Sequence, residues 1–167
     1  EVTFEGAYTK ISGGRMGFTP FQKPHPPLEM AAQSVGAAQR AARLTDGVFF
    51  GPQITWADVA RLGGVFREAR KATSNATPGS VCASRSLIVG KSKEDGRAAA
   101  RGYLEKTFKM YSDWGMQEPT MAPLQLDFEK NLDDWTINGS PADCVETIKR
   151  EQEKGLDGIG FTIYSLP

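Results

Sequence analysis

The chain has 167 residues, 40% of them hydrophobic and 24% charged, the make-up of a globular domain rather than of a disordered or fibrous polypeptide. Twenty Lys and Arg balance twenty Asp and Glu, so no net field draws nucleic acid or an anionic membrane surface, and small neutral or locally bound ligands are the expected partners. No apolar run approaches the ~20 residues that span a bilayer, and the opening EVTFEGAYTK has neither a basic nor an apolar leader segment, so membrane partners are excluded and a cytoplasmic location is expected. Cys82 and Cys144 have no metal-ligand spacing around them; buried thiols and no metal site are expected.

Residues 1–27 carry an alternating run, Val2 to Ile11, then Gly13-Gly14 and prolines at 20, 24, 26 and 27, which predicts one hairpin followed by an extended arm. Leu28 to Ala32 reads as a buried strand. Val35, Ala38, Ala41, Ala42 and Leu44 then recur at helical spacing, and the helix is expected to close at Asp46-Gly47 with glycine in a left-handed cap. Val48-Phe49-Phe50 is a second strand. Thr55 caps a helix whose stripe is Val59, Leu62, Phe66 and Ala69, and Val81 to Val89 is a third strand beyond a turn-rich loop from Thr73 to Ser80.

Ser92 with Asp95 opens a helix to about Ser112, and residues 113–138 read as irregular. Ser140, Pro141 and Asp143 combine an N-cap, a proline at the first helical position and an acid three residues on. They predict a solvent-facing helix that ends at Gly155, with its N-terminus on the side of the sheet away from any ligand. Ile159 to Tyr164 is the last strand. Short apolar strands alternating with helices predict an α/β fold with a parallel sheet. Four such strands cannot close a barrel and leave two open edges, so a missing N-terminal half or a second copy of the chain is expected to complete them.

The segments QKPHPPLEMAAQS (22–34), AARLTDGVFF (41–50) and NGSPADCVETIKREQEKGLDGIGF (138–161), in that order, resemble the luciferase-like flavin monooxygenases. The resemblance implies the C-terminal half, strands five to eight, of a parallel (β/α)8 TIM-type barrel. It divides one partial domain into a lead-in arm (1–27), a strand-helix-strand-helix-strand segment (28–91), a helix-plus-loop insertion between strand seven and helix seven (92–137), and helix seven with strand eight (138–167). The family's first four strands, with much of the flavin-ring pocket and the usual catalytic histidine, have no counterpart here, so no catalytic residue is assigned. The chain is expected to be part of a longer polypeptide.

Gln33, Ser34, Gly36 and Ala37, preceded by Ala32, put backbone N–H groups, a hydroxyl and small residues at a helix start, the combination that binds an anion. The competing reading is a simple N-cap on an alanine-rich core helix; the resemblance implies that this junction holds the phosphate of FMN or, alternatively, of a deazaflavin coenzyme. The single histidine, His25, lies between prolines and is expected to pack at the surface. Ser84, Arg85, Thr162 and Tyr164 are strand-end polar groups that could face the pocket, and Arg85 must meet a carboxylate, a phosphate or solvent. Trp114, Met116, Met121, Phe128, Lys130 and Trp135 resemble an active-site lid, against the plainer reading of a surface loop packed on the barrel.

The resemblance implies a monooxygenase that uses reduced FMN and dioxygen on a small organic substrate, with a flavin reductase as partner. Alternatives are a deazaflavin-dependent hydride-transfer enzyme, a non-catalytic flavin-binding half-barrel, and an α/β domain without flavin in which Ser34 is only a cap.

Overall fold

The computed structural model describes residues 1–73, 77–115 and 128–164. The arm holds an antiparallel hairpin, β1 (Val2–Glu5) and β2 (Lys10–Gly14), forming a sheet of its own. The main sheet is parallel throughout: β3 (Glu29–Ala31), β4 (Gly47–Phe50), β5 (Ser80–Val89), β6 (Thr136–Gly139) and β7 (Gly158–Tyr164). Between them run α1 (Val35–Leu44), α2 (Trp56–Lys71), α3 (Lys93–Asp113), α4 (Phe128–Trp135) and α5 (Pro141–Glu153). No helix among the described residues is long and apolar enough to cross a membrane.

Ten-residue β5 organises the sheet. It pairs with β4 through Ser80–Ala83, with β7 through Cys82–Ile88 and with β6 through Ser86–Val89. A strand has two edges, so the overlaps require β7 on one edge and β4, then β6, in series along the other. Alternation then sorts side chains to two faces. Val48, Phe50, Val81, Ala83 and Ile137 are buried in one core with Ala38 and Ala41 of α1, Leu62 and Phe66 of α2, and Cys144 of α5. On the opposite face, Ile88 packs with Ala100 and Leu104 of α3 and with Leu132 and Trp135 of α4, a second core confined to the C-terminal end of β5.

The helices start where local chemistry dictates. Ser34, Thr55, Ser92 and Ser140 each accept from the amide three residues on. Asp143 returns a bond to the Ser140 amide at 2.9 Å and completes a capping box. Gly155, at φ +100°, closes α5 in the left-handed region, as expected.

Gly47 behaves differently from expectation. Helix α1 ends on Thr45 in extended backbone, and Gly47 has no positive φ; it is the first residue of β4. Its missing side chain matters for packing, because a Cβ there would lie 2.0 Å from Ser80 Oγ. Glu29 and Ser80 thereby meet across β4, with Ser80 Oγ donating to Glu29 Oε1 at 2.9 Å. The second correction concerns residues 113–138: their described part is not irregular, since 128–135 form α4 and 136–139 form β6. Tethers hold α4 in place. Arg97 of α3 pairs with Glu129 and Asp133, Arg101 with Glu129, and the Trp56 amide at the start of α2 donates to Asp134 Oδ1 at 3.0 Å.

Three strands have an open edge among the described residues: β3 pairs only with β4, and β6 and β7 only with β5. No described helix covers the C-terminal part of the outer face of β7, where Ile163 is 72% exposed, and Ala31, Gly160 and Thr162 lie bare on the face opposite the main core.

Backbone contact between α3 and β6 gives a direct test. A Cβ on Gly96 would fall 2.4 Å from Gly139 N and 2.5 Å from its Cα, positions that no side-chain rotation relieves. Gly96→Ala should destabilise the protein by about 3 kcal/mol in urea denaturation, the upper range of overpacking. Gly102→Ala on the same helix, with open space around it, should instead stabilise by ~0.5 to 1 kcal/mol.

Candidate functional site

The parallel sheet sends β3, β4, β5 and β6 toward one end, and α1, α2, α3 and α5 all begin there. In open and closed parallel α/β folds this is the end where ligands bind. Four helix N-termini therefore compete for the role, and their chemistry separates them.

Three are already neutralised. Helix α2 has Asp58 in its first turn and the Asp134 carboxylate on its first amide; α3 has Glu94 and Asp95; α5 has Asp143. Hydrogen bonds from the Ser140 side chain and backbone hold the Asp143 carboxyl below its ordinary range. Helix α5 thus starts at the ligand end, contrary to the expectation that it lies on the far side. What disqualifies it is its own capping carboxylate.

Helix α1 has no acid in its first turn. Ser34 Oγ accepts from Ala37 N at 3.3 Å, and the Ser34 carbonyl accepts from Ala38 N at 3.0 Å. No described group accepts from the Val35 or Gly36 amides, and Gln33, Ser34 and Gly36 are exposed. A Cβ on Gly36 would meet nothing within 4 Å, so the approach to these amides is open. Ala32 is buried beneath, where its amide donates to Phe49 O at 3.1 Å and fixes the turn from β3 into α1. The five residues singled out from the sequence are thus brought together at one uncompensated positive helix end, a donor set suited to a dianionic group.

Arg85 is not part of this mouth. It is fully buried on the helix-covered face, with its guanidinium 3.8 Å from the centre of the Trp56 ring. It donates to the carbonyls of Ser84 and Ile54 at 2.7 Å and of Gly51 at 3.4 Å. Among the described residues it meets backbone carbonyls rather than the expected carboxylate, and it is shielded from solvent. Burial pulls its pKa down to about 10, opposed by the charges of Asp134 and Glu151, and it stays a cation at neutral pH. Its work is to staple the β4–α2 connection, Gly51 to Ile54, to the middle of β5. Nothing local in the sequence could have paired residues 85 and 54.

The other expectations divide. Ser84, Thr162 and Tyr164 do share the face opposite the main core, in register along β5 and β7. His25 lies in the arm as expected: its Nδ1 is 2.9 Å from Pro26 O and 3.8 Å from Asp46 Oδ2. Trp135 is no lid residue but is buried in the second core, and Phe128 packs edge-on to Phe108. Trp114 is exposed; Met116 and Met121 lie outside the described residues, as does the Lys130 side chain. Among the described residues no cluster of ligating side chains suits a metal, and Cys82 and Cys144 are free thiols. Burial, followed by the Glu29 carboxylate, pushes the Cys82 thiol up to about 11, so it is an inert one at neutral pH. Sequence reasoning missed Tyr103 of α3, whose hydroxyl accepts from Ser86 Oγ at 3.3 Å and whose ring lies 4.0 Å from that of Tyr164.

With this geometry in place the comparisons are informative. Residues 1–158 match the luciferase-like monooxygenase family, and the chain belongs to that family. Its fold is similar to a monooxygenase from Streptomyces bottropensis, with a TM-score of 0.71 at 19% identity over 99% of this chain and 50% of that one. It is also similar to a secondary alcohol dehydrogenase dependent on the deazaflavin F420, with a TM-score of 0.72 at 13% identity over 97% of this chain and 50% of that one. A third is the oxygenating constituent of 3,6-diketocamphane monooxygenase from Pseudomonas putida, in complex with FMN, with a TM-score of 0.63 at 14% identity over 96% of this chain and 50% of that one. The chain spans about half the length of these structures, and its parallel α/β sheet corresponds to half of their barrel.

The Arg85 staple is testable. Arg85→Met keeps the aliphatic stem but leaves the Ile54 carbonyl without its donor and Gly51 O with only the Ile54 amide, and should cost about 2 to 3 kcal/mol in denaturant unfolding. Amide exchange at Ile54, which donates to Gly51 O, should accelerate more than exchange in α2.

Proposed function

We propose that this chain is the phosphate-binding half of a flavin-dependent monooxygenase in which reduced FMN and dioxygen oxidise an organic substrate. The observation that carries the reading is the start of α1: alone among the capped helices at the ligand end, it has no acid of its own and no carboxylate docked on it. An intrinsic acid at that position would be worth ~0.3 to 1 kcal/mol to the helix, so its omission favours an anion from outside.

In this reading β3, β4, β5 and β7 are strands five to eight of a (β/α)8 barrel. Residues 92–137 are an insertion ahead of the seventh helix, residues 1–27 an arm, and 138–167 the last helix and strand of one partial domain. Support comes from the parallel order, from the half-length match and from the open edges of β3 and β7, which an N-terminal half or a second copy would cover. The catalytic groups then belong to the half not present here, and a separate flavin reductase supplies the reduced cofactor.

The residues here fit the cofactor's phosphate. The amides of Val35 and Gly36, with the Ser34 hydroxyl, would hold it; Ala32 and Ala37 keep the approach narrow but free of bulk, and Gln33 lies at its rim. When bound, the flavin ring supplies the redox chemistry and the activation of oxygen. The protein's part is to anchor one end of the cofactor so that its ring sits over the small-residue face of the sheet.

The test is binding by the intact protein. FMN should bind, and Ser34→Ala should weaken it by about 1 to 3 kcal/mol, the scale of one hydrogen bond to a charged group. Titration calorimetry measures this, with thermal melting of both proteins to separate the loss of the helix cap. Binding of the deazaflavin coenzyme in preference to FMN would move the reaction to hydride transfer. Binding without oxygen uptake under a reduced-flavin supply would leave a non-catalytic flavin carrier, and failure to bind either coenzyme would sink the flavin reading.

A further inference from the structure

None of residues 1–28 is buried, and neither core includes a residue before Met30. The stretch is nonetheless rich in large apolar side chains: Val2, Phe4, Ile11, Met16, Phe18 and Phe21 all stand exposed. A two-stranded hairpin is marginal in water unless a third strand or a helix packs on it. No described helix or strand makes more than a marginal contact with the β1–β2 pair.

The two faces of the hairpin differ in chemistry. Its register sets Val2 opposite Gly14, Phe4 opposite Ile11 and Glu5 opposite Lys10, so Val2, Phe4 and Ile11 share one face. The other face is satisfied from within. There Glu5 pairs with Lys10, and the Thr3 hydroxyl accepts from the Gly13 amide at 3.2 Å. At the open end Arg15 closes on Glu1 at 2.6 Å. Three apolar side chains, 44 to 59% exposed, opposite a face that is polar and internally paired, are the pattern of a strand pair that buries one side against a partner.

The comparisons narrow what that partner is. Residues 1–158 match the family, and 99% of this chain aligns with the Streptomyces monooxygenase, so the arm belongs to the shared fold and is not an appendage. The same alignment leaves half of that structure without a counterpart here, while the half that is present packs its cores without the arm. We infer that the apolar face of the hairpin docks on the half of the barrel that this chain does not contain, with Val2, Phe4 and Ile11 as its buried contacts. The inference rests on the half-barrel reading but not on the flavin. The arm joins β3 at Leu28, at the end of the sheet away from the start of α1, so the two can be tested apart.

The experiment uses the purified intact protein. Phe4 is replaced by 4-fluorophenylalanine, a change of one atom, and its fluorine resonance is compared in light and heavy water; a covered ring should show little solvent isotope shift. A benzophenone side chain in place of Tyr8, which is fully exposed in the turn of the hairpin and tolerates the bulk, identifies the occupant. On irradiation it should cross-link to a peptide of the other half of the barrel, outside residues 1–167. In urea, Phe4→Ala should lower the folding equilibrium constant by at least about tenfold, against about twofold or less for a side chain that stays bare. A full isotope shift, or an effect of Phe4→Ala within twofold, overturns the inference. So does a cross-link to residues 1–167 of a second copy, to this chain's own main sheet, or to nothing. FMN titration of the same samples reads the flavin site separately. A cross-link to the other half with no FMN bound removes the flavin reading and leaves the docking surface; FMN binding with a fully solvated fluorine does the reverse.

Discussion

Every part of the main sheet is held through the ten residues of β5, which bond to β4, β6 and β7 at once. That triple pairing fixes the register of the whole sheet, because slipping any partner by one residue would exchange its buried face for its bare one. It also sets a chemical asymmetry. Val81, Ala83 and Leu87 point into the main core, whereas Ser80, Cys82, Ser84 and Ser86 point the other way. Among the described residues, α3 and α4 cover the polar face at the C-terminal end of β5.

Arg85 breaks that pattern, since it occupies an apolar-facing position between Ala83 and Leu87. Three carbonyls and the Trp56 ring offset the burial of its charge. The consequence reaches the mouth of the sheet: Trp56 opens α2, its amide holds Asp134, and its indole N–H donates to Asp133 O at 3.2 Å. One buried cation thus connects the middle of β5, the β4–α2 turn and the helix that precedes β6. Trp135, the last residue of that helix, is buried in the second core, so its seat against α3 depends on this chain of contacts.

What the sequence made legible follows from the range of the forces involved. The caps at Ser34, Thr55, Ser92 and Ser140 are local chemistry, and all four form. The strands flanking α1 and α2 are short apolar runs, and they form with ends within a residue or two of expectation. Helix α4 and β6 were not legible: four residues of strand, Thr136 to Gly139, carry no periodicity, and α4 is held by ion pairs to Arg97 and Arg101 about thirty residues away. Gly47 was misread because a glycine after a helix signals a cap, while its actual role is to let Glu29 reach Ser80 from 51 residues away. For the candidate site, the gathering of Ser34, Gly36 and Ala37 at one helix start was visible in their spacing. The absence of a competing acid at that helix becomes meaningful only beside the three helix ends that have one.

The start of α1 and the sheet face beside it answer different physical demands. The start of α1 presents free amides and an open approach, suited to a strongly hydrated anion that keeps some of its water. The face of β5 and β7 that carries Ser84, Gly160 and Thr162 presents small groups in register and no fixed charge. In the proposed reading a cofactor with a phosphate at one end and a flat ring at the other would be anchored by the first while its ring lay along the second. Ser84, Gly160 and Thr162 are small enough to leave that path clear.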